Sequence, residues 1–173
     1  ARQLLATIGI RIQAHIQRVH TRSFDASPQW WDPQPIEDSV VRCPDPQISK
    51  KMERTLAAAK ANGDSHGGII AGYADGMTPG LGAPVFDRLE ADLAKAMLSI
   101  NACKGFDIGS GFSGTELKGS AHNDPFEITD GRITTKGNNS GGVQGGISNG
   151  MPIYFRCAFK PTSTIGKPQG TVN

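Results

Sequence analysis

The sequence predicts an α+β fold, with helices packed on a largely antiparallel sheet. Three observations lead there: a strand-period alternation near the N-terminus, two stretches with helical spacing of apolar residues, and a later series of short apolar runs parted by glycine-rich turns. Their order is strand, helix, strand, helix and then several strands, which suits helices laid on one antiparallel sheet.

The first strand is the clearest. Ile8, Ile10, Ile12, Ala14 and Ile16 alternate with Arg11, Gln13, His15 and Gln17, and a period of two places the isoleucines on one face. From Phe24 to Pro46 the chain carries five prolines and the pair Trp30 and Trp31 without sustained periodicity, which predicts an ordered loop with about one helical turn. Asp45 then caps a helix with Pro46 in its first turn. Ile48, Met52, Leu56 and Ala59 recur at helical spacing until Gly63 ends it. A second helix is expected over Pro84 to Leu98, with Phe86, Leu89, Leu93 and Met97 on one stripe. Strands are expected at Gly68 to Tyr73, Gly105 to Ile108, Gly111 to Leu117 and Ile153 to Phe159.

A length of 173 residues suits a single core. The formal charge of +2 is too near balance to imply nucleic acid as a partner. Cys43, Cys103 and Cys157 are odd in number and form no paired motif, which argues for a reducing compartment and against structural zinc. No stretch approaches the ~20 apolar residues of a membrane helix and no secretory leader is visible. The reading is a soluble cytoplasmic protein, or a plastid one if a transit peptide has been removed.

Glycine is the outlier, with 22 residues where average usage gives roughly 12. The run Gly137 to Gly150 is the densest. Backbone so poor in side chains approaches a ligand closely, and its amides can form a nest for phosphate oxygens; tight hairpin turns explain it equally well. Lys160, Pro161, Thr162, Ser163 and Thr164 leave the last strand with one cation and three hydroxyls, the donors that a phosphate or a ribityl chain needs, or else a solvated loop. At the helix exit Asn101 and Lys104 could meet a ring edge or simply cap the helix. His122 and Asp124 make a functional pair or a self-satisfied turn. His66, flanked by glycines, is a weak candidate for a general acid or base.

Five separated strings tie these places together. VRCPDP at Val41 to Pro46, GDSHGG at Gly63 to Gly68, GLGAPVFDRLEADLAKAMLSINACKGFDIGSGF at Gly80 to Phe112, GSAHNDPF at Gly119 to Phe126, and NNSGGVQGGISNGMPIYFRCAFKPTSTI at Asn138 to Ile165 resemble chorismate synthase segments in order and spacing.

The resemblance implies one partial domain over residues 1–173, built from β-α-β layers, with the proline-rich loop 24–46 inside it. It covers the central to C-terminal portion of that family, with Ala1 to Leu5 falling in a helix after the family's serine-alanine-arginine flavin motif. The segment with the catalytic histidine of GESHG, the second catalytic histidine and the phosphate-clamping arginines lie outside it. GDSHGG echoes GESHG, and His66 stands where the family pattern carries another residue.

The implied reaction is the anti-1,4-elimination of phosphate from 5-enolpyruvylshikimate 3-phosphate to chorismate, with reduced FMN as cofactor and NADPH as reductant only in bifunctional members. The implied flavin contacts are Asn101, Ala102, Gly145, Lys160, Pro161, Thr162, Ser163 and Thr164, converging in space. A homotetramer with little activity in this chain alone is expected. A truncated, non-catalytic flavin-binding or structural subunit is the alternative, and a general nucleotide-phosphate module is a third reading.

Overall fold

In a computed structural model, which describes residues 1–170, five strands form one antiparallel sheet in the order β2-β1-β3-β9-β4. They are β1 (Arg11–Val19), β2 (Arg22–Ser23), β3 (Gly68–Asp75), β4 (Cys103–Ile108) and β9 (Ile153–Phe159). Two hairpins stand apart from it: β5 (Phe126–Thr129) with β6 (Arg132–Thr135), and β7 (Val143–Gln144) with β8 (Ile147–Ser148). The helices are α1 (Arg2–Thr7), α2 (Pro33–Asp38), α3 (Pro46–Ala61), α4 (Leu89–Leu98) and the short α5 (Gly119–His122). Among the described residues no helix is long and apolar enough to cross a membrane.

Local chemistry fixes the helix starts. The Asp45 carboxylate accepts from the Gln47 and Ile48 amides at 2.7 and 2.9 Å, two of the donors that a helix N-terminus leaves without partners. Asp32 does the same for α2, accepting from the Gln34 amide at 3.0 Å, so the proline-rich loop contains the helical turn expected of it. Helix α4 starts at Leu89, five residues after the expected Pro84. Phe86 sits at φ +62° and is 91% exposed, so it turns the chain outward instead of joining the stripe.

The stretch Gly111–Glu116 is a 3-10 helix where the sequence suggested a strand. Its small hydroxyl residues bond back to the carbonyls three before them, Ser113 to Ser110 at 2.6 Å and Thr115 to Phe112 at 2.7 Å, and Gly111 has φ +52°. Sequence reading passed over the β5–β6 hairpin, whereas the β7–β8 hairpin realises the tight hairpin turns offered as one reading of the glycine run. Each has a two-residue turn with positive φ at both positions, Asp130-Gly131 and Gly145-Gly146, the backbone that matches strand twist.

The faces of β1 also differ from the simple pattern. Ile12 is 38% exposed, while Gln13 and His15 are buried. The proline-rich loop accounts for this by folding over the polar side. The Gln13 amide donates to the Trp31 carbonyl at 2.9 Å and accepts from the Trp31 amide at 3.0 Å, so it is buried with its hydrogen bonds made. One core gathers Val19, Cys43 and Met52 with Ile16, Ile48 and Leu56, joining α3 to the sheet. The other gathers Ala74, Val143 and Ile153 with Leu89, Leu93 and Phe155 under α4. All three cysteines are buried free thiols.

Candidate functional site

Strand β9 carries the site, because its two ends hold the two groups of candidate residues. At its exit the Lys160 amide donates to the Ala102 carbonyl at 3.0 Å, which sets the Asn101-Ala102 turn beside the Lys160–Thr164 segment. Ala102 takes a left-handed φ of +67° there. Helix α4 has already ended at Leu98 and is closed by Ser99, whose hydroxyl donates to the Ala96 carbonyl at 2.6 Å, so the Asn101 side chain is not spent as a cap.

The Gly63–Gly68 loop reaches the same rim. The Ser65 hydroxyl donates to the Thr162 carbonyl at 2.6 Å and the Gly166 amide to the Gly63 carbonyl at 2.9 Å. Gly67 lies so close that a side-chain carbon there would stand 2.5 Å from the Phe159 carbonyl oxygen and 3.1 Å from the Pro161 ring, and only glycine lets the two loops touch. His66 is half-buried and stacks on His20, ring centroids 4.1 Å apart and planes 15° from parallel. It does not pair with Ser65, whose hydroxyl is directed to Thr162.

Gly145 lies elsewhere. It is exposed in the β7–β8 turn, next to Gly146, whose carbonyl accepts from the Leu89 amide at 2.9 Å at the start of α4. The seven residues of β9 separate that turn from Lys160, a span of about 20 Å. Within one chain, two of the three stretches expected to converge do so, and Gly145 stays at the far end. Nothing lies within 4 Å of where its Cβ would be, so its backbone is open to approach.

The rest of the glycine-rich run is built around an internal anion. The Asp124 carboxylate accepts from the Asn139 and Ser140 amides at 2.9 and 2.8 Å. Those amides form the kind of nest that the composition suggested for a phosphate, and a side chain of the same molecule fills it. Burial alone would raise the Asp124 carboxyl, but the Ser140 and Asn139 amides and the Ser140 hydroxyl override it, so its pKa falls below the ordinary carboxylate value. His122 turns away from this contact and meets the Ser110 hydroxyl through Nε2 at 2.8 Å.

A feature that sequence reading missed is an open cleft of about 850 Å³ on the polar face of the sheet. Tyr73, Tyr154 and Arg156 form its floor, and Asp25, Asn138 and Asn139 stand on its walls. Arg156 holds Asp107 through Nε at 2.9 Å and Nη2 at 2.5 Å. That hydrogen bond raises the guanidinium further above its usual pKa. With its charge spent on Asp107, Arg156 leaves the cleft offering hydroxyls and amides in place of net positive charge. The alternation of Tyr154 and Arg156 in β9 was visible in the sequence, but their pairing with β3 and β4 was not.

At the rim, by contrast, the donors are open. Lys160, Thr162, Ser163, Thr164 and Asn101 are exposed, and among the described residues their side chains make no hydrogen bond within the chain. One ammonium, three hydroxyls and a carboxamide on neighbouring segments offer donors to an anionic or polyhydroxylated ligand.

The chorismate synthase family model matches residues 1–173. The chain is 53% identical over 165 residues to a chorismate synthase of Opitutus terrae, covering 95% of this chain and 46% of that protein. It is 52% identical over 176 residues to one of Prochlorococcus marinus strain MIT 9211, covering all of this chain and 48% of that one. A crystal structure of a chorismate synthase superposes with a TM-score of 0.86 at 31% identity, covering 94% of this chain and 52% of that one. The chain thus spans about half the length of the curated relatives it matches. On its sequence and on its fold alike, this chain belongs to the chorismate synthase family.

Proposed function

We propose that this chain supplies part of the flavin-holding wall of a chorismate synthase, the lyase that eliminates phosphate from 5-enolpyruvylshikimate 3-phosphate to give chorismate for aromatic amino acid biosynthesis. Reduced FMN, when bound, lends electron density to the substrate and returns unchanged overall. The observation that carries the reading is the junction at the exit of β9, where the Lys160 amide to Ala102 carbonyl bond draws Asn101, Ala102 and the Lys160–Thr164 donors onto one edge.

In that role Lys160 balances phosphate charge, and the Thr162, Ser163 and Thr164 hydroxyls order the polar chain of the cofactor. Pro161 fixes the bend that presents them, and Asn101 and Ala102 meet the ring edge. Gly145, at the opposite end of β9, would meet a cofactor held at the rim of another subunit, which agrees with the homotetramer that the resemblance implies. His66 stacks on His20 through its ring face, which leaves its ring nitrogens free, so it stays a weak candidate for acid-base chemistry. The open rim favours the second reading as well, a flavin-binding subunit with no catalysis of its own.

Anaerobic titration of the 173-residue chain with oxidised and reduced FMN tests the proposal. FMN should bind in preference to ATP and NAD, and Lys160→Ala should weaken it about tenfold, as expected for loss of one charge-assisted contact. Preferential binding of ATP or NAD would instead support a nucleotide-phosphate module. Chorismate formation by the isolated chain would show that it holds more of the catalytic machinery than proposed.

A further inference from the structure

The stacked pair His20 and His66 lies beside the rim and outside the flavin-contact set. His20 occupies the turn between β1 and β2 at φ +52°, a conformation that a non-glycine residue adopts at some cost. Two contacts hold it there: its amide donates to the Gly67 carbonyl at 3.0 Å, and its ring lies flat on His66. Gly67 abuts Phe159 and Pro161, and Ser65 bonds Thr162, so the turn that carries His66 is joined to His20 on one side and to the candidate binding segment on the other.

We propose that His20 and His66 form a pH-sensitive clasp that holds the Pro161–Thr164 rim in its binding shape when at most one ring is protonated and releases it when both are. Neutral imidazoles stack without penalty, and one imidazolium over a neutral ring is tolerated. Two imidazolium rings 4.1 Å apart repel each other directly.

Charged side chains of both signs stand on the elements around the pair. On the same loop the Asp64 carboxylate lies within electrostatic reach of His66 and accepts from the Lys167 ammonium at 2.5 Å. Arg18 of β1 lines a small cavity with His66, and Arg22, Lys160 and Lys167 are the cations on the neighbouring elements. His15 is paired with Ala71 across the sheet and is buried apart from this cluster. The clasp rests on the proposed function only for the ligand it controls. The coupling between the rings is a property of the chain alone.

An NMR titration of the imidazole carbons from pH 8 to pH 5 tests it on the full 173-residue chain. The pair should take its second proton about tenfold more weakly than its first. As the second proton binds, the His20 amide should lose about tenfold of its exchange protection relative to its intrinsic rate, and the Thr162–Thr164 amide signals should shift with it. His66→Phe keeps a flat ring but not the second charge, and should make that protection independent of pH. Two rings titrating independently would overturn the clasp, and so would an equal loss of protection in His66→Phe. Should the variant fail to fold, the wild-type ring titration still decides. FMN affinity measured across the same range tests the link to the rim: a fall below about pH 6 supports it. Absence of FMN binding at pH 8 would count against the flavin reading and leave the ring coupling standing.

Discussion

Asp124 shows how one side chain organises a segment that has few of its own. Gly141 and Gly142 cannot brace the turn through side chains, so the turn depends on a carboxylate from fifteen residues earlier taking the Asn139 amide. Replacing it with alanine leaves two part-buried amides without an acceptor, so Asp124→Ala should cost about 2 kcal/mol in a urea titration at pH 7. The lowered pKa sets the direction with acid: stability from Asp124 is present above the ordinary carboxylate range and is lost as pH falls below it. His15 acts in a higher window. Burial lowers its pKa to about 4, against about 6.5 in an unfolded chain. The unfolded state therefore gains a proton first, and this contribution, complete above pH 6.5, declines as pH falls toward 4, costing about 2 kcal/mol once solvent screening is allowed for. His15→Gln should flatten the dependence of the denaturation midpoint on pH over that interval, and an unchanged slope would show that His15 is not its source. The buried cysteines carry no such function. Burial pushes the Cys157 thiol up to about 11, with the Cys103 thiol beside it adding to the effect, which leaves it a poor nucleophile.

Among the elements, α3 was legible in the sequence because every cue agreed: a cap at Asp45, proline at the first position, apolar spacing and Gly63 beyond the end. Asp45→Ala should cost about 1 kcal/mol, read as a lower thermal midpoint with the fold retained. Strands β3, β4 and β9 were legible to within a few residues for similar reasons. The errors fall where local backbone chemistry overrules pattern. Phe86 continues the apolar stripe of α4 in spacing, yet its left-handed φ takes it out of the helix. Ser113 and Thr115 have side chains suited to a strand, but they bond their own backbone and tighten it into a 3-10 turn. On β1 the isoleucine alternation placed the strand to within three residues and left open which face is covered, since Trp31, which bonds Gln13, lies eighteen residues on. At the candidate site the donors Lys160 to Thr164 could be named from sequence. Their union with Ala102 depends on β4 pairing with β9, a long-range contact that no local pattern encodes. The positions of Gly145 and His20 were hidden for the same reason.

The whole molecule exposes more surface than its mass requires. Its accessible area is 11224 Å², whereas a compact monomer of 18.3 kDa exposes about 8100 Å². The excess coincides with large apolar side chains in solvent: Phe126, Ile128 and Ile133 on the β5–β6 hairpin are 64%, 78% and 71% exposed, and Phe112 is 78% exposed on the 3-10 segment. Apolar patches of this extent on a soluble body mark contact surfaces. Because the hairpin pairs only with itself and lies outside both cores, its exposure does not support the fold of the sheet. Sedimentation velocity of the chain at micromolar concentrations should therefore show reversible self-association. The double change Ile128→Lys and Ile133→Lys should shift it toward monomer while leaving the far-ultraviolet circular dichroism unchanged, since two like charges on the protruding strands repel a partner without touching Val19, Met52 or Ile153. A wild-type chain that stays monomeric across that range and binds no apolar dye would show that the hairpin folds back in solution and that the excess surface is not a contact face.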